Sequence, residues 1–136
     1  MRLEIDPGKR KMLDEFYNAL SAVAEDSYVF LTDLETDVSR WAKEAVDIFG
    51  LPGEYMDNVG DLWAEHIHPD DRDEFEVSIE RIYMGSDDSH DMKYRARTKE
   101  GGYVVCTCRG VVVKDSKGKP IYFCGAIKNH GVRSSV

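Results

Sequence analysis

The run Ile67-His68-Pro69-Asp70-Asp71-Arg72, followed at once by Asp73 and Glu74, crowds four carboxylates and an imidazole into eight positions. Asp70, Asp71, Asp73 and Glu74 could in principle form a carboxylate or metal site. Their placement argues for something plainer. Pro69 cannot continue a preceding helix, Asp70 is a good N-cap, and Asp71 and Asp73 put negative charge where a helix dipole favours it. The run therefore predicts a helix start, with His68 fixing the turn into it. Serine, histidine and aspartate all occur in the chain, but no nucleophile elbow and no phosphate-cradling glycine loop accompanies them. Neither a catalytic nor a metal-ligating residue is expected.

Cys106, Cys108 and Cys124 are the other reactive candidates. An odd number cannot form a complete disulfide framework. Cys106 and Cys108 stand two apart in a β-like run, so they share one sheet face, and this spacing lacks the loop geometry of a zinc site. They read as small buried hydrophobes in a reducing compartment.

The elements that would position these groups follow from periodicity. Asp6-Pro7 predicts an N-cap with proline at the first helical position. From there Met12, Leu13, Phe16, Tyr17, Leu20 and Val23 form one apolar stripe, closed by Asp26 and Ser27. The stripe can lie on the chain's own sheet or against a second copy, and the two are not exclusive. Tyr28–Asp33 predicts a first strand and Val38–Trp41 its hairpin partner. A helix through Ala45, Val46, Ile48 and Phe49 stops at Gly50, with Pro52 beyond it. Between 53 and 65, Tyr55-Met56, Val59 and Leu62-Trp63 suggest short helical turns separated by Asn58 and Gly60.

The helix after Pro69 carries Phe75, Ile79, Ile82 and Tyr83 on one face and ends near Gly85. In 90–97 the even positions are mostly apolar and the odd ones all charged, which predicts a strand with one wet face at a sheet edge. Residues 103–113 and 121–127 are apolar on both faces and predict interior strands covered on both sides. Glu100-Gly101-Gly102-Tyr103 is a hairpin turn, not the Gly-Gly-Asp/Glu-Glu-Phe site of a cyclase.

Bulk properties agree with a single soluble domain. The chain has 136 residues, 42% hydrophobic and 32% charged, with a net charge of −8. Such acidity opposes binding to nucleic acid or to anionic lipid. No apolar run approaches the roughly 18 residues of a membrane span, and no signal peptide precedes the first helix, so a cytoplasmic location is expected.

The ordered set of elements resembles a PAS domain over residues 27–129. Thr32-Asp33, Ala45 and Ile48-Phe49-Gly50 look like that family's "D…A…lFG" pattern. Trp63, Ile67 and His68-Pro69-Asp70-Asp71-Arg72 look like the "W…iHPdDr" signature of one large subfamily. Tyr94-Arg95, Gly102-Tyr103 and Gly125 fit its "YR…dG…w…G" run. One departure is Ala42, where many members carry asparagine.

The resemblance implies an α+β fold with a five-stranded antiparallel sheet in the order 2-1-5-4-3. Short helices and one longer helix lie on one face, and the N-terminal amphipathic helix on or near the other. It divides the chain into a helix at 1–26, a PAS domain at 27–129 and the start of a linker at 130–136 leading to an output domain such as a diguanylate cyclase or a histidine kinase. It implies a sensor and dimerisation module of a bacterial signalling protein, pairing through Met12, Leu13, Phe16, Tyr17, Leu20 and Val23. Flavin-binding members carry a cysteine-containing run that Gly60–His66 lacks. Haem-binding members usually place a histidine on the long helix, which has none, with His66 and His68 preceding it. Neither cofactor is expected.

A small organic ligand stays open, in a cavity lined by Trp41, Ile48, Trp63, Ile79, Tyr83 and Tyr94. The simpler reading is that these six pack on one another as ordinary core. The alternatives to a sensor are a docking PAS domain that senses nothing and a small cone-shaped enzyme resembling ketosteroid isomerase.

Overall fold

The computed structural model describes residues 3–132. Helix α1 (Pro7–Val23) leads into β1 (Tyr28–Asp33), β2 (Val38–Trp41), α2 (Lys43–Phe49), β3 (Tyr55–Asp57), α3 (Val59–Ala64), α4 (Pro69–Tyr83), β4 (Ser89–Arg97), β5 (Tyr103–Lys114) and β6 (Pro120–Asn129). The strands form one antiparallel sheet in the order β3-β2-β1-β6-β5-β4. Its last five members run in the order that the resemblance implied, with β4 at an edge. The correction is a sixth strand.

Tyr55-Met56, expected as a helical turn, instead extends the sheet beyond β2, pairing Tyr55 with Arg40 and Met56 with Ser39. The Glu54 carbonyl accepts from the Trp41 N–H at 2.7 Å, so the segment satisfies an edge that β2 would otherwise leave open. Asn58, with φ at 51°, then turns the chain into α3.

The inner face of the sheet carries the main core, where Phe30, Trp41, Phe49, Trp63, Phe75, Tyr94 and Phe123 meet beneath α2, α3 and α4. On the outer face lies α1. Its start is as expected: the Asp6 carboxylate accepts from the Gly8 and Lys9 N–H groups at 3.1 and 3.2 Å. It ends at Val23, with Ala24 extended as C-cap.

Leu13, Phe16 and Leu20 pack on Leu31, Val38, Tyr122 and Cys124. Two polar anchors hold the helix over β1 and β2. The Lys9 ammonium lies 3.0 Å from the buried Asp33 carboxylate, and Arg40 reaches Asp14 at 3.3 Å while its guanidinium covers the Tyr17 ring at 4.0 Å. Held there, α1 leaves the middle of β5 uncovered, and only Val113 of that strand joins the cluster beneath the helix. Thr107 is half-buried and Arg109 and Val111 are exposed on that strand's outer side, contrary to the expectation that β5 is covered on both faces.

Candidate functional site

The His68–Arg72 run is a bracket that positions α3, α4 and β4. His68, not Asp70, is the N-cap of α4: its Nδ1 accepts from the Asp70 N–H at 3.1 Å, and Pro69 takes the first helical position. Asp71 reaches across to β4 and accepts from the Arg95 backbone N–H at 3.0 Å and from its guanidinium at 2.9 and 3.0 Å. These bonds hold the Asp71 carboxyl below the usual range, with the Arg95 side chain the first cause. Arg72 donates to the carbonyls of Ala64 and Ile67, each at 2.9 Å, which closes the end of α3. His68, Pro69, Asp71 and Arg72 thus each have a structural task.

What the bracket frames is an apolar cavity of about 30 Å³ between the sheet and helices α3 and α4. That is room for little more than one water. Of the six residues expected there, Trp41, Trp63, Ile79, Tyr83 and Tyr94 line it. Ile48 does not; it is 36% exposed. On α2 the inward positions are Ala45 and Phe49, one helical turn apart, and Ile48 lies off that line.

The lining also includes residues that the pattern reading had not assigned to the cavity, among them Phe30, Thr32, Phe75, His90, Cys108 and Phe123. His90 was legible. It occupies an even, inward position of β4, in phase with Tyr94 and Ala96.

The polar groups around the cavity divide into satisfied and unsatisfied. Trp63 Nε1–H donates to the Tyr94 hydroxyl at 2.9 Å. Burial drives the Tyr94 hydroxyl well above its ordinary pKa and pushes the Cys106 and Cys108 thiols up to about 12. All three stay protonated at neutral pH and are unsuited to nucleophilic work.

His90 Nδ1 pairs with the Ser78 hydroxyl at 2.6 Å, and its ring stands edge-on between Phe75 and Phe123. Burial lowers its pKa, so the ring is neutral. Its other nitrogen, Nε2, has no partner, nor does Trp41 Nε1, although both residues are at least 97% buried. Buried polar atoms of this kind are rare in folded proteins.

One flank of the cavity adjoins a surface vestibule of about 350 Å³ that shares Gly60, Phe75, Ile79 and Tyr83 with it. Its carboxylates are Asp37, Asp61, Glu76 and Glu80, and it contains no basic side chain. Tyr83 donates to Asp37 at 2.8 Å, tying the end of α4 to the β1–β2 turn. Burial, and then this bond, raise the Tyr83 pKa above its ordinary value.

The expected dimer residues divide as well. Leu13 is fully buried against the chain's own sheet, and Phe16, Tyr17 and Leu20 are half-buried there. Met12 and Val23 are exposed. His66 stacks on Trp63 and His68 caps α4, so neither faces the cavity. Of the expected linker 130–136, residues 133–136 lie outside the described residues, as do Met1 and Arg2 of the N-terminal segment.

Comparison with solved structures finds the same fold in several signalling proteins. A sensory box histidine kinase/response regulator from Burkholderia thailandensis superposes with a TM-score of 0.62 at 20% identity, covering 86% of this chain and 85% of that one. The N-terminal domain of a diguanylate cyclase with PAS/PAC sensor from Marinobacter aquaeolei gives 0.64 at 20% identity, covering 78% and 96%. The PAS domain of the Cronobacter turicensis RpfR quorum-sensing receptor, in complex with C12:0, gives 0.56 at 16% identity, covering 79% and 98%. No curated protein sequence matches the chain. No helix among the described residues is long and apolar enough to cross a membrane. Residues 38–127 match the family model described as the PAS fold, and the chain belongs to that family.

Proposed function

We propose that this domain senses a small molecule in the cavity between the sheet and α3–α4 and reports its presence to an attached output domain. The observation that carries the reading is the pair of buried, partnerless polar atoms, Trp41 Nε1 and His90 Nε2, on two of the side chains that line this mainly apolar cavity. Each unmade hydrogen bond costs about 1–3 kcal/mol, which a ligand supplying the partner would recover. The solved relatives support the role: two come from a histidine kinase and a diguanylate cyclase, and the RpfR domain is in complex with C12:0.

Both routes to an output domain begin on the sheet. Beyond β6, the His130 N–H and Gly131 carbonyl bond the Val105 backbone at 2.8 Å each, so the chain leaves the domain in register with β5. Helix α1 rides on the outer face of the same sheet. Three free, buried cysteines suit a reducing, cytoplasmic compartment. Native mass spectrometry of the purified protein tests the reading: a retained small molecule should be present and should be lost in Ile79→Phe, which fills the cavity from α4. A wild-type protein with no retained mass, and with no compound that raises its Tm, would contradict it.

A second reading, a docking domain that pairs with another copy, draws support from the exposed outer side of β5 and from Met12 and Val23. Val111 is 54% and Val23 78% exposed. Solution mass with and without Val111→Lys distinguishes it.

A further inference from the structure

The chemistry of the cavity and its entrance selects one class of ligand, and this step rests on the ligand-sensing reading above. Trp41 Nε1–H is a donor only, so whatever satisfies it must bring an acceptor atom. The neutral His90 ring can either donate or accept at Nε2, depending on which way the Ser78 hydroxyl is turned. Neither atom needs a charged partner.

A charged group would find no counter-ion. The lining is mainly aromatic and aliphatic, with Thr32, Tyr83, His90 and Tyr94 among its uncharged polar members, and it contains no lysine, arginine, aspartate or glutamate. An unpaired ion in such surroundings is strongly disfavoured. The way in sharpens the choice. The adjoining vestibule carries Asp37, Asp61, Glu76 and Glu80 with no basic side chain, so a carboxylate approaching by that side meets only like charge.

We propose that the ligand is a small, uncharged, mainly apolar molecule with one acceptor oxygen, a hydroxyl or carbonyl, that takes the Trp41 N–H, and that carboxylates are refused. The cavity of about 30 Å³ is too small for even one aromatic ring, so binding must displace the α4 side of the mouth, where Ile79 and Tyr83 stand.

Three single-ring probes test the class: phenol, toluene and benzoate, titrated into the folded protein. The readout is the indole N–H resonance of Trp41, assigned with Trp41→Phe; Trp63 is the only other tryptophan. Phenol should move the Trp41 resonance downfield to saturation and bind roughly tenfold or more tightly than toluene, the usual effect of a buried donor gaining a partner. Benzoate should not bind. Trp41→Phe should bring phenol down to the affinity of toluene, and Ile79→Phe should abolish binding of both.

Benzoate binding as tightly as phenol, or toluene binding as tightly as phenol, would overturn the ligand class and leave the sensing reading intact. If none of the three binds wild-type protein, the ligand class and the use of this cavity for sensing both fall.

Discussion

Replacing Asp71 by alanine isolates the bracket at the start of α4. The carboxylate accepts one backbone N–H and two guanidinium N–H groups, all from Arg95. The guanidinium is 41% exposed and regains water when the carboxylate is removed, so losing its bonds costs little. The backbone N–H loses a charged acceptor, and a hydrogen bond to a charged group contributes about 1.5–3 kcal/mol. We therefore expect Asp71→Ala to lower stability by about 2 kcal/mol at neutral pH, a large share of the roughly 5–15 kcal/mol of a typical domain but not enough to unfold it.

The pH dependence supplies the decisive check. Asp71 titrates lower in the folded chain than its ordinary value of 3.8. Its contribution is therefore complete above that value and is lost as pH falls through the depressed folded value. Urea denaturation followed by tryptophan fluorescence, at about pH 7, 5 and 3, measures the difference between wild type and variant. It should be near 2 kcal/mol at the first two and shrink at the last. A difference below about 0.5 kcal/mol at neutral pH, or one that does not contract in acid, would refute the assignment.

Other outcomes follow from separate parts of the molecule. Gly125 faces Gly110 across β5–β6; a Cβ there would run into the Arg109 carbonyl oxygen and lie 2.7 Å from Gly110 Cα, so Gly125→Ala should cost more than about 3 kcal/mol in urea denaturation, and a near-neutral result would mean that the strands separate freely. The three cysteine thiols, each raised in pKa by burial, should resist iodoacetamide in the folded protein near pH 8 and react fully in urea; ready labelling of Cys106 or Cys108 would contradict their burial. His90 has a folded pKa below its ordinary 6.5, so the unfolded chain binds a proton that the folded one refuses, and stability should decline as pH drops below that value. NMR titration of the His90 ring gives the direct test, with a midpoint at or above about 6.5 inconsistent with its buried position.

Much of this architecture can be traced to local pattern, and the exceptions have definite causes. The strict alternation of 90–97 gives β4 both its edge position and its inward residues, because charge at every odd position permits only one orientation. The stripe on α1 is equally plain, but the sequence cannot say how far one helix reaches across a sheet. That depends on Lys9 finding Asp33 and Asp14 finding Arg40, contacts 24 and 26 residues apart. Three residues are too few to establish a period, so β3 could not be told from a helical turn; the pairing with β2 decides it. The error at Ile48 is one of phase. In a seven-residue helix a single step moves a side chain by about 100°, and neighbouring Ile48 and Phe49 look alike as sequence. His68 escaped notice as an N-cap because imidazole is seldom used in place of a hydroxyl or carboxylate.

The distribution of bonds along α4 bears on how the cavity could open. The helix has 15 residues and is about 22 Å long. Its first turn is fixed by Asp71 on β4, by Arg72 on the carbonyls that end α3, and by the His68 N–H, which donates to the Arg95 carbonyl at 2.9 Å. Its last turn is tied to the β1–β2 region by the Tyr83–Asp37 hydrogen bond, where Tyr83 is 39% exposed. Ile79, a cavity wall, stands one turn before Tyr83. A molecule that forces the cavity wider works against the Ser78–His90 bond and the packing of fully buried Ile82 as well as the Tyr83–Asp37 bond, whereas the first turn carries the charged bonds to Arg95. The acidic run at the start of α4 thus contributes to the site without touching it: through Asp71 it anchors to β4 the helix that carries Ile79 and Tyr83.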